Sequence, residues 1–208
     1  EYTFQNIILV GGWNEDHSGL KAKRSIISVE GKGKLILEDG CTLQNNMSTL
    51  VEENNSGTSY VGGAVYCGAG EVIANEGSKI INCAAQYGGA ITIGTGSLYT
   101  NGLVIEKCYS TGETGNNASA IEFSEYGITF ECTGLVITDC AAINATENGA
   151  AIEMQKGTLT FLEDPDNPDL EIRIENNYSA ADIAGVMQYT DIVGVGTTNV
   201  STINIETD

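Results

Sequence analysis

GGAVYCGAG at residues 62–70 and GGAITIGTG at residues 88–96 are almost one phrase written twice. Self-similarity at a period of about 20 to 50 residues restricts a chain to stacked or radial architectures. The pair Ala64-Val65 returns as Ala90-Ile91, Ala120-Ile121 and Ala151-Ile152, each after a small residue, at steps of 26, 30 and 31 residues. Gly70, Gly96, Gly127 and Gly157 open a second run, and Ile26-Ile27 with Gly33 take the same roles upstream. A third run ends in an apolar residue, two variable residues, and Asn or Cys: LQNN (43–46), IINC (80–83), IEKC (105–108), ITDC (137–140) and IENN (174–177). From Gly to that Asn or Cys is 13, 13, 12 and 13 residues in four repeats and 20 in the fifth, where removing EDPDNPD (163–169) restores 13.

Each period thus holds three short runs with strand-type alternation, divided by Gly or Asn turns and uninterrupted by helical periodicity. Antiparallel hairpins do not require like residues at matching positions of consecutive repeats; stacked repeats do, because those residues become ladders about 4.8 Å apart. The pattern predicts an all-β parallel β-helix, a solenoid of three sheets and about five to six rungs. It spans residues 1–208 as one domain, with a loop or N-terminal cap at 11–24 and an inserted acidic loop at 163–169.

In this register Val65/Cys67, Ile91/Ile93, Ile121/Phe123 and Ile152/Met154 face the core, while Ser28, Tyr66, Thr92, Glu122 and Glu153 form an outward column. In the third run Val104 and Val136 point outward beside Thr42, Lys79 and Arg173. The Gly before each Ala is expected to turn at positive φ. Cys83, Cys108 and Cys140 share one turn column with Asn46 and Asn177, where Asn satisfies turn backbone and Cys is its small apolar substitute. Buried thiols are the favoured state of the six cysteines over disulfides, and metal-type spacing such as CxxC is absent.

With 28 Asp and Glu against 9 Lys and Arg, the formal charge of −19 excludes nucleic acid as a natural partner. Gly is frequent at 26 residues and Pro occurs twice, a turn-rich β composition. No apolar run approaches the length of a membrane span, and no membrane insertion is expected. The opening EYTFQNIILVGGW reads as the start of a piece cut from a longer chain.

The GGA[VI] step followed by apolar-x-x-Asn resembles the GGA[ILV] and FxxN repeats of right-handed β-helix surface proteins, namely autotransporter-type polymorphic outer-membrane proteins and adhesin-like repeat proteins. The likeness covers roughly residues 25–180, with Leu or Ile in place of the Phe of FxxN and Cys in place of Asn in three of five repeats. It implies a right-handed coil, bacterial secretion, display at the cell surface, and adhesion to a host protein or glycan.

Four groups of residues are candidate sites. Glu122 and Glu153 share a position in neighbouring rungs, a spacing suited to the carboxylate pair of a retaining glycosidase or to two solvated side chains splaying apart, the favoured reading. The insertion offers Asp164, Asp166 and Asp169 to Ca²⁺, although two prolines suit a rigid surface turn equally. Trp13, beside His17 in GGWNEDHSG, suits a binding anchor or a plug over the end of the stack. Lys79, Tyr99, Val104, Val136 and Arg173 form a flat, slightly apolar lateral patch. Thr42 and Thr92 are not repeated down their columns, so no threonine ladder is expected. VEENNSG (51–57) reads as a solvated loop, and of six Asn-x-Ser/Thr sequons some fall at ladder turns where a glycan would not fit.

The leading expectation is a monomeric, non-catalytic surface segment without a cofactor that contacts its ligand through a lateral face or loops. A β-helix lyase or hydrolase of acidic polysaccharides and a passive spacer are the alternatives.

Overall fold

A computed structural model describes residues 1–16, 18–49, 52–54, 57–59, 62–112, 117–143, 149–164, 166–183, 186–188, 192–194 and 202–206. Within these residues the chain is all-β, and no helix is long and apolar enough to cross a membrane.

Strands of consecutive repeats pair in parallel and in register, as the self-alignment requires. Ile27–Val29, Val65–Cys67, Ile91–Ile93 and the segments around Ile121 and Ile152 form one ladder, with Val65, Ile91, Ile121 and Ile152 as direct partners. A second ladder runs through Leu35, Val72, Leu98, Phe130 and Leu159, and a third through Leu43, Ile80, Ile105, Ile137 and Ile174. Strict alternation puts one row of each ladder inward, and these rows merge into one apolar cluster. Phe123 and Phe130 fill the widest part of it, their ring centroids 5.3 Å apart.

The three runs stay separate in the early repeats but fuse later: Asn117–Thr138 is one strand of 22 residues and Gly149–Leu162 one of 14. Both carry register shifts against their neighbours. Cys83, Cys108 and Cys140 line up with Asn46 and Asn177, because the pairings on either side of each keep a constant offset. Asn46 Nδ2 donates to the carbonyls of Gly63 (2.7 Å) and Arg24 (3.1 Å), and Asn177 Oδ1 accepts from the Cys140 N–H (3.0 Å). All six cysteines are buried free thiols.

Two expectations about turns need correction. Gly63 and Gly89 are not at positive φ; a Cβ on Gly63 would strike the carbonyl oxygen of Gly89, and one on Gly89 that of Ser119. Close approach between repeats, not torsion, demands glycine there. In VEENNSG (51–57), expected as a solvated loop, Glu52–Asn54 is a strand that pairs antiparallel with Gly57–Ser59.

Candidate functional site

The outward column Thr42, Lys79, Val104, Val136 and Arg173 is present in the predicted register, Lys79 exposed and the other four half-buried. Arg173 donates to Glu171 Oε1 at 2.9 Å and to Glu175 Oε1, so its charge is balanced within its own strand segment. Lys79 makes no ion pair among the described residues. Tyr99 belongs to a different ladder, in a column with Ile36, Ile73, Glu131 and Thr160. Its neighbour there is the ion pair of Lys34 with Glu71, 2.6 Å long, so the patch is a strip of four residues with Tyr99 apart from it.

Trp13 is 6% exposed, packed on Met47, Ala84 and the half-buried Tyr109, with the Lys21 ammonium 5.8 Å from its ring. It lies in a two-stranded antiparallel arm, Gly12–Trp13 with Gly19–Leu20, folded against the stack. Indole area that a ligand would need is already covered, so Trp13 is a packing residue rather than an exposed anchor. His17 lies outside the described residues.

In the inserted segment the Asp164 carboxylate accepts the Asp166 N–H (3.0 Å) and the Asp164 carbonyl accepts that of Asn167 (3.1 Å). Asn167 Nδ2 reaches Glu76 Oε2 at 3.4 Å, which ties the loop to the body. Asp166 and Asp169 are exposed, and no cluster of three metal-type ligands occurs among the described residues. The geometry is that of a side-chain-closed turn. A hydroxyl ladder exists where none was expected, in the second run: Ser97, Thr129, Thr158 and Thr202 are successive partners.

The largest departure concerns the carboxyl pair. Glu122 and Glu153 are direct partners on adjacent strands, as predicted, but each is 1% exposed, and Thr92 below them is buried as well. The column is outward only at its start, where Ser28 is exposed and Tyr66 half-buried. Beyond that point Tyr87, Gly88 and Ala118 lie over the column. Thr92 Oγ1 donates to the Tyr87 carbonyl (3.2 Å), and Glu122 accepts backbone N–H groups of Gly88 and Ala118. Tyr87, Gly88 and Ala118, which build the cover, carry no signature of their own.

Burial of a carboxylate disfavours its charged form, and a second carboxylate alongside adds repulsion. Glu122 is accordingly raised well above the ordinary range by burial first and Glu153 second, and burial pushes Glu153 up to about 8. The half-buried Tyr87 phenol is also raised, by burial and then by Glu122 and Glu153. Glu122 Oε2 and both oxygens of Glu153 have no hydrogen-bond partner among the described residues. Two carboxyls buried in this way can hold a proton, and at 1% exposure each they are not presented to solvent.

No family model, curated protein or solved structure matches this chain.

Proposed function

We propose that the chain is a right-handed parallel β-helix of three sheets and about five to six rungs. In this reading it serves as a non-catalytic, surface-displayed segment of the adhesin type, exported by a bacterium. The observation that carries the reading is the in-register lateral column of Lys79, Val104, Val136 and Arg173, a continuous strip that separate repeats contribute one residue at a time. Such a strip offers the Lys79 cation, two apolar contacts and the stem of Arg173, whose guanidinium is held by Glu171 and Glu175, at a fixed rise of about 4.8 Å, a periodicity suited to an extended host peptide or glycan. The enzymatic alternative is weakened by the cover over Glu122 and Glu153, since general acid catalysis requires a carboxyl within hydrogen-bond reach of the scissile bond.

Screening the purified chain on glycan and host-protein arrays tests this directly. A specific ligand should appear, and Val136→Arg or Lys79→Glu should weaken it by about tenfold or more with the thermal midpoint unchanged. Silence on both arrays favours a passive spacer. Release of reducing ends from an acidic polysaccharide, abolished by Glu122→Gln, would restore the enzyme.

A further inference from the structure

Glu122 and Glu153 are the two buried acidic side chains among the described residues. They are not equivalent. Glu122 accepts two backbone N–H groups, from Gly88 and Ala118, an environment matched to an anion, and keeps Oε2 unpartnered. Glu153 receives no hydrogen bond at either oxygen from the described residues and therefore has an environment matched to a neutral acid. Neither carboxyl joins an ion pair among the described residues. The groups that face them are Thr92 and, beyond it, Tyr66 in their own column, Val193 on the strand that follows, and Tyr87 from the covering turn. Of these Tyr87 is itself raised above its ordinary value, by burial first and then by the two glutamates. Two full negative charges at ladder spacing, without a counter-ion, would be expelled; one proton between them removes the conflict and gives Glu122 Oε2 a donor.

We propose that Glu122 and Glu153 share a single proton across neighbouring strands, and that this proton latches the Tyr87–Gly88 turn and Ala118 over the sheet face. The two N–H donors on Glu122 stabilise the negative charge that the pair retains. The two groups titrate as a pair, so the proton is lost from both together. In the unfolded chain each glutamate ionises at about 4.3. In the fold burial pushes Glu153 up to about 8 and Glu122 is raised as well, so the pair retains a proton toward that limit. Between those limits the folded state holds a proton that the unfolded state lacks, so the stabilisation is whole below the lower limit and is lost as pH rises through the upper one. With the proton gone, repulsion acts directly beneath Gly88 and Ala118, and the cover opens.

Hydrogen exchange on the intact chain reads this out. After correction for base catalysis, the Gly88 and Ala118 amides should exchange about tenfold or more faster at about pH 9 than at about pH 6, while those of Leu98 and Ile105 hold steady. Glu153→Gln keeps a donor toward Glu122 but has no proton to lose; it should abolish the acceleration, match wild-type thermal stability near pH 5 and exceed it near pH 9. Parallel behaviour of variant and wild type overturns the proposal. So does loss of the pH effect on adding Ca²⁺ or Mg²⁺, which would make the pair a cation site, or its loss in Tyr87→Phe. Should Glu153→Gln fail to fold, carboxyl-carbon NMR of the wild-type chain decides: one glutamate pair titrating above about pH 7 supports the shared proton, and all glutamates titrating below about pH 6 overturn it.

Discussion

At the scale of single residues, the sharpest demand is made one position before the Asn and Cys column. Asn45, Asn82, Lys107, Asp139 and Asn176 all sit in the left-handed region, at φ of 58°, 49°, 52°, 56° and 57°. Side chains clash with the following carbonyl there, and Asn and Asp tolerate it best. Asn82 Nδ2 also donates to Asn45 Oδ1 at 2.8 Å, which links two of these turns. Lys107 is the misfit, and it is exposed, with no packing to lose. Lys107→Asn or Lys107→Gly should therefore stabilise the chain by about 1 kcal/mol, seen as a higher thermal midpoint; an unchanged or lower midpoint would show that the turn relaxes around lysine at no cost. The third letters of LQNN, IINC, IEKC, ITDC and IENN already spelled this column, as N, N, K, D and N. They pass for variable positions because the neighbouring column is more uniform in size and burial.

At the scale of elements, the stack depends on how closely consecutive repeats approach at their corners. Gly63 and Gly89 meet the next repeat backbone to backbone, and a methyl group at either site has rigid carbonyl oxygen in its path. Gly89→Ala should cost on the order of 1–3 kcal/mol or more, measured by thermal or urea unfolding, because neither partner can move without breaking the ladder hydrogen bond of Ala90 N–H to the Ala120 carbonyl (2.9 Å). Phe123→Ala belongs to the same scale. Emptying the site beside Phe130 should cost about 3–5 kcal/mol, and a smaller loss would mean that neighbouring repeats collapse into the space. The GGA[VI] motif announces the glycines, but it reads equally well as a torsional requirement and as a packing one. Spacing along a chain cannot separate the two; only the position of the neighbouring repeat can.

For the whole molecule, charge and open strand edges work against each other. Among the described residues Tyr2–Phe4 pairs only with Lys34–Leu37 and Ile8–Val10 only with Thr42–Met47, and Tyr2, Ile8 and Val10 are well exposed. Unpaired backbone beside apolar side chains is a template for edge association, and the formal charge of −19 holds copies apart. Neutralising carboxylates near pH 4, or screening them at about 1 M salt, should bring on self-association visible by light scattering. Ile8→Lys should suppress it; scattering that stays monomeric in both conditions would remove the edge from consideration. Acid thus acts twice, tightening the cover over Glu122 and Glu153 while removing the repulsion between molecules. The two effects separate by protein concentration, since only association depends on it.

Repetition in the sequence by itself determined which residues become neighbours: Val65 with Ile91, Cys83 with Cys108, Glu122 with Glu153, Lys79 with Val104. Equal spacing plus period-two alternation suffices for that, because parallel stacking converts position within a repeat into position along a ladder. Which face of a ladder meets water was decided only in three dimensions. Alternation distinguishes two sides of a strand but says nothing of a segment that folds back to cover the second side, and so Glu122, Glu153 and Thr92 are buried where the pattern put them outside. Trp13 follows the same logic, closed over by its own arm. The pairing is a property of the repeat; the cover is a property of the irregular residues between repeats, whose path depends on what they find to pack against.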